Sequence, residues 1–134
     1  MAAGFHLQVV SLDGMEFDGQ AVRASVRGQD GELAIMKGHT NYCTALGMGE
    51  ARILLEDGTE RRAACIGGML SVMDGEARII STTWEWSDEI DLDRAKASRE
   101  RAEKRLSGGT LSDKEYKVTM AKLRRALVRI DVAG

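Results

Sequence analysis

Apolar and polar positions alternate along the first two-thirds of the chain and recur at helical spacing along the last third. Phe5, Leu7 and Val9 alternate with polar neighbours, as do Val22, Ala24 and Val26, which is the period of a half-buried strand. Asp-Gly occurs five times, at Asp13, Asp18, Asp30, Asp57 and Asp74. Glycine supplies positive φ at low steric cost, so Asp-Gly between apolar runs is a strong hairpin signal. Strands over Ile53–Leu55, Ala63–Ile66, Leu70–Met73 and Ala77–Ser81 then follow at close intervals, the rhythm of a sandwich or flattened barrel. Gly67-Gly68 falls between two of them and reads as a tight crossing or bulge. Trp84 and Trp86 bracket Glu85 just beyond and are expected to pack a second module against the first.

The period changes at Glu89. Asp91 is placed to cap a helix, since a carboxylate there satisfies orphan amides and suits the positive helix end. Leu92, Ala95, Ala102 and Leu106 share one face of that helix, a thin seam among charged residues. A second helix opens with a capping box, Ser112 with Glu115, and a staple from Leu111 to Tyr116. Tyr116, Met120, Leu123, Leu127 and Ile130 predict its apolar stripe. With Ser107–Thr110 as a short turn, the helices are expected to form an antiparallel hairpin. So small a pair buries little, and should detach from its neighbour at a cost of about a few kcal/mol. The expected organisation is therefore a β-sandwich over residues 1–86 and a helical hairpin over 87–134.

Charge sharpens that division. The chain of 134 residues has a net charge of −2, but residues 1–86 carry −5 and residues 87–134 carry +3. No basic-then-apolar leader with a cleavage site is visible, and no stretch approaches the roughly 20 apolar residues of a membrane span. Cys43 and Cys65 lack CxxC spacing and read as small buried thiols of a cytoplasmic-type protein. His6 and His39 have no partners at metal-ligand spacing, and no nucleophile stands beside an oriented base, so neither a metal nor a catalytic site is expected. The arginines say more. Arg94 and Arg101 share a face of the first helix, and Arg125 and Arg129 share a face of the second. In a closed hairpin their guanidiniums could converge on a polyanion; the alternative is a solvated charged surface. Nine acids among residues 87–134 and the lack of an aromatic platform argue against nucleic acid.

The chain resembles, essentially end to end, the epsilon subunit of the bacterial F-type ATP synthase. FHLQVVSLDG, GQDGELAIMKGHTNYCTAL, IGGMLSVMDGEARIIS, IDLDRAKASRERAEKRL and ALVRIDVA carry the resemblance, in that order. It implies a sandwich of about ten antiparallel strands followed by a two-helix hairpin, in a non-catalytic rotor subunit of the central stalk. The implied partners are the gamma subunit, the c-ring and the alpha and beta subunits of the catalytic head, on the cytoplasmic face of the plasma membrane, with protons or sodium as the coupling ion. The loop matching Gly28–His39 would face the ring, making Glu32 and His39 contact candidates; otherwise they are a surface carboxylate and a loop-packing histidine. The hairpin would leave the sandwich, extend along gamma and block ATP hydrolysis, with Lys122, Arg124, Arg125 and Arg129 meeting acidic segments of beta.

Some relatives bind regulatory ATP through I/L-D-x-x-R-A, here Ile90, Asp91, Arg94 and Ala95, and the resemblance adds Glu85, Arg101, Arg125 and Arg129 to that candidate Mg-ATP site. No cofactor is otherwise implied. Two departures stand out. Val118 occupies a position where ATP-binding relatives can carry Arg, and Leu12 and Lys37 stand near positions where relatives often have proline, which this chain lacks entirely.

Overall fold

A computed structural model describes residues 3–133. The described chain forms two compact units that divide between Trp86 and Ser87.

Seven strands build the first unit: β1 Phe5–Ser11, β2 Gly14–Ala21, β3 Arg23–Gly28, β4 Gly31–Met36, β5 Tyr42–Leu54, β6 Glu60–Met73 and β7 Glu76–Trp86. They hydrogen-bond in the order β2-β1-β7-β6-β5-β3-β4. Burial explains how one ribbon becomes a sandwich. In β7 the buried side chains are Ala77, Ile79 and Ser81, then Trp84 and Trp86, so the parity reverses at Thr82–Thr83. The long strands β5 and β6 reverse likewise, around Gly47 and Gly67. Because successive side chains point to opposite faces, a parity reversal means that the strand turns over from one layer into the other.

The four short strands serve one layer each, whereas β5, β6 and β7 serve both. The sheet therefore contains ten strand segments in seven continuous strands, which reconciles the expected ten with the seven observed. Ala63–Ile66 and Leu70–Met73, expected as separate strands, are the two halves of β6. The sandwich is also not wholly antiparallel, since β1 runs parallel to β7.

The fold-over depends on glycine. Gly67 and Gly68 have φ of 76° and 131°, a region L side chains rarely adopt. A Cβ on Gly68 would lie 2.1 Å from the Ile80 carbonyl oxygen. The buried Ser81 hydroxyl at the same corner donates to the Thr83 carbonyl at 2.7 Å, so the bend leaves that group satisfied.

Four of the five Asp-Gly pairs lie at hairpin turns. Asp74-Gly75 has both residues at positive φ, as the tightest hairpins require, and the Asn41 side chain accepts from the Asp74 amide. Asp18-Gly19 is the exception. It lies inside β2, opposite Gln8 and Leu7, where the ladder rather than the dipeptide sets the backbone. Phe5, Leu7, Val9, Leu70 and Ile79 from one layer meet Ala24, Val26, Ile35 and Ile53 from the other in a single core. Trp84 and Trp86 belong to this core, ring edge to ring face at 5.2 Å, and Arg61 stacks on Trp86 at 3.7 Å. Cys65 is buried, which pushes its thiol pKa up, whereas Cys43 is exposed, contrary to expectation.

The second unit comprises a 3-10 turn over Ser87–Glu89, α1 Leu92–Ser107 and α2 Asp113–Ala133. Asp91 caps α1 by accepting from the Arg94 amide at 3.0 Å. The Ser112–Glu115 box closes in both directions, at 3.1 and 3.3 Å. The helices pack together, and α2 also meets the turn that precedes α1, which fixes an antiparallel pair. Ala95 and Ala102 are buried as expected. On α2, however, the buried residues are Thr119, Ala126 and Val132, while Tyr116 and Leu127 are about half exposed. The larger apolar side chains thus flank the seam instead of filling it. Small side chains on both helices allow the close approach.

Candidate functional site

Two surfaces carry the residues singled out by the sequence, and a third emerges only from the fold. The first is a flank of the hairpin. Ala95, Ala102, Thr119 and Ala126 mark the seam, and in two antiparallel right-handed helices the residue preceding each seam position turns to the same side. Those residues are Arg94, Arg101, Val118 and Arg125, and Arg129, three positions after Ala126, lies on that side as well. Arg94 and Arg101 are exposed, while Arg125 and Arg129 are half-buried. Among the described residues, Arg94, Arg101 and Arg125 form no side-chain ion pair, in contrast to Arg99, which pairs with Glu103, and Arg105, which pairs with Glu115.

Ile90 and Asp91 stand at the mouth of this flank, with Asp91 occupied as the helix cap through one carboxylate oxygen. Glu85 lies on β7 in the first unit, opposite Ala64. Val118 is 47% exposed on the same side, so this flank carries an apolar position beside its arginines. Lys122 and Arg124 lie exposed on α2.

The second surface is the β3–β4 hairpin, which the sequence had suggested as a loop over Gly28–His39. It is instead mostly ladder, with Glu32 exposed opposite Arg27 on the edge strand β4. His39 follows the strand; its Nδ1 donates to the Thr40 carbonyl at 2.7 Å and its ring tilts against Tyr42.

The third surface has no precedent in the linear pattern. Following the register across the outer face of β5, β6, β7, β1 and β2 gives the row Ala45, Met69, Ile80, Val10, Met15. Met69, Ile80 and Met15 are each at least half exposed. The row crosses five strands, about 20 Å at ordinary strand spacing, and is wholly apolar. The next row along the strands is polar: Cys43, Ser71, Arg78, Gln8 and Asp18, with Arg78 donating to Gln8 at 2.9 Å. Only the pairing register brings these side chains together, so no local motif announces them.

A charged cluster of this unit is Glu50 with Arg52 and Arg62, which supply charge-assisted hydrogen bonds to both carboxylate oxygens. Burial pushes the Glu50 carboxyl up, but the two guanidiniums outweigh it and hold the pKa below the ordinary value. Among the described residues no group of His, Cys, Asp and Glu could hold a metal ion, and no helix is long and apolar enough to cross a membrane.

Two domain models match the chain in tandem: the β-sandwich domain of the ATP synthase delta/epsilon chain over residues 4–87, and its long α-helix domain over residues 88–134. The chain belongs to the epsilon-chain family of ATP synthase. This family is a non-catalytic component of the F-type enzyme, in keeping with the lack of a catalytic constellation in the sequence. Relatives include the ATP synthase epsilon chain of Caldicellulosiruptor bescii, 40% identical over 98% of this chain and 94% of the relative. The epsilon chain of Trichlorobacter lovleyi is 37% identical over 100% and 96%. A sodium-ion-specific epsilon chain from Acetobacterium woodii is 35% identical over 79% and 80%. Among solved structures, a chain of the Euglena gracilis mitochondrial ATP synthase, in an assembly of OSCP, F1 and c-ring, superposes with a TM-score of 0.84 over 99% of this chain and 82% of that one. At 19% identity, that likeness speaks for the fold alone.

Proposed function

We propose that this chain is a rotor subunit of the central stalk, coupling ion flow through the c-ring to ATP synthesis, with a hairpin that restrains ATP hydrolysis. The observation carrying this reading is the tandem match of both delta/epsilon domains, with a division of the chain into two units within one residue of their junction. The apolar row Met69–Ile80–Val10–Met15 is the surface on which the gamma subunit docks, because a continuous exposed stripe bordered by polar residues is the usual mark of a protein partner. The β3–β4 hairpin, with Glu32 and His39, meets the c-ring. Lys122, Arg124, Arg125 and Arg129 on α2 meet acidic segments of beta in the catalytic head when the hairpin extends. On this reading the chain sits peripherally at the cytoplasmic face of the membrane.

A charge set into the apolar row tests the docking. Ile80→Glu should abolish co-purification with gamma while the isolated chain stays folded; full retention of gamma would refute the assignment.

A second reading is favoured by the arginine flank. Arg94, Arg101, Arg125 and Arg129 turned to one side form a cradle for the phosphates of Mg-ATP, and bound nucleotide would hold the hairpin closed. A ligand shifts closed against extended only by its differential affinity for the two. Calorimetric titration with Mg-ATP, beside Arg94→Ala, decides it. Heat that vanishes in the variant supports a nucleotide-gated brake; no heat up to millimolar ATP leaves a hairpin governed by its protein partners.

A further inference from the structure

One cluster on the outer face of the sandwich takes no part in any of these roles. His6 on β1 lies between Asp18 of the edge strand β2 and Glu76 of β7. Its Nε2 is 2.5 Å from the Asp18 carboxylate, and its Nδ1 is 3.5 Å from that of Glu76. Ionised carboxylates only accept hydrogen bonds, so both contacts require an N–H on the ring. A neutral imidazole carries one N–H, and only the imidazolium serves both. The cluster continues on the same face through Gln8, which pairs in register with Asp18 and accepts from Arg78 of β7 at 2.9 and 3.2 Å. Asp18, Glu76 and Arg78 are the charged groups facing His6 from the strands on either side, and on β1 itself the neighbouring Gln8 is neutral.

We propose that His6, bridging Asp18 and Glu76, is a proton-operated latch that fastens the edge strand β2 to the sheet. β2 stands at the end of the strand order and is paired on one side only, through β1. A cross-link spanning β2, β1 and β7 therefore acts at one of the two edges of the sheet.

The direction with pH follows from the ionisation. Hydrogen bonds from the ring to Asp18 and then to Glu76 raise the His6 pKa above its ordinary 6.5, while the same pairing lowers that of Asp18 below 3.8. The His6 contribution is complete below the ordinary histidine value and is lost as pH rises through the raised one. The Asp18 contribution is present above the ordinary carboxylate value and is lost as pH falls through the lowered one. The latch is closed below the ordinary histidine value; as pH rises through the raised one the ring keeps a single N–H and holds only one of the two carboxylates. β2 also carries Met15, so an open latch loosens one end of the apolar row; that consequence alone rests on the docking reading above.

The test uses the full chain without partners, so it stands apart from docking. The His6 ring is titrated by NMR, and thermal unfolding and β2 amide exchange are compared at pH 6.0 and 8.5 in the native chain, His6→Gln and Asp18→Asn. His6 should titrate above 6.5, and the native chain should lose thermal stability and β2 protection between the two pH values. Both variants should show a smaller loss. A His6 midpoint at or below 6.5, or the same pH-dependent loss in the native chain and both variants, would overturn the latch. Should His6→Gln fail to fold, Asp18→Asn and the native ring titration still decide the matter.

Discussion

Gly68 shows how much of the fold can rest on one residue. The Ile80 carbonyl fills the space where a side chain would begin, and φ is positive. Gly68→Ala must open the β6–β7 ladder at the point where both strands change layers. A loss of about 2–4 kcal/mol is expected by analogy with strained and overpacked core sites, read by urea unfolding; a loss under about 0.5 kcal/mol would mean that the corner relaxes freely. Glu50 is a second case. Its folded pKa is depressed by Arg62 and Arg52, so its contribution is present above the ordinary carboxylate value of 4.5 and fades as pH falls through the lower folded value. Glu50→Gln should therefore flatten the stability profile as pH falls below the ordinary carboxylate value, a comparison that acid titration of thermal unfolding makes directly.

Element by element, legibility in the sequence followed the range of the interactions. Asp91 and Ser112 were legible because a cap is satisfied within three residues, and the structure closes both. Asp-Gly turns were legible for the same reason, except Asp18-Gly19, whose ladder partners Gln8 and Leu7 lie about ten residues away. The continuity of β6 through Gly67-Gly68 was hidden, since two glycines look locally like a break and only the neighbouring strands carry the chain through. On α2, period alone selected the bulky stripe of Tyr116 and Leu127, whereas the observed seam runs through Thr119 and Ala126. Helix pairs joined by a short turn and lined with alanine approach on their smallest residues, which a hydrophobicity count undervalues.

The seam makes the hairpin sensitive to size. Ala102→Leu inserts three carbons where no space is left and should cost about 1–3 kcal/mol. Faster amide exchange in α1 and α2, with β-strand protection unchanged, is the expected signature. Equal loosening of the strands would mean that the two units unfold as one.

For the whole molecule, the contrast between the units is one of construction. The sandwich encloses a single core built from both layers, with Leu7, Val9, Leu70 and Ile79 fully buried. The hairpin buries three alanines, Thr119 and Val132, and leaves Tyr116, Val118 and Leu127 about half exposed. An element with so little of its apolar surface enclosed can exchange partners at small cost, which is the physical basis for reading it as a movable brake on a firmly folded rotor part. The candidate site was legible to the same extent: individual arginines could be named from their spacing, but their common flank follows only from which small residues form the seam. The apolar row was illegible, because it runs across five strands from Ala45 to Met15.

The most direct measurement is the ATP hydrolysis rate of the assembled enzyme carrying this chain either whole or ended at Trp86, with co-purification confirming that assembly persists. A movable brake requires hydrolysis to rise several-fold in the shortened form while gamma and the ring remain bound. An unchanged rate in an intact assembly would contradict it, leaving the hairpin without a restraining role.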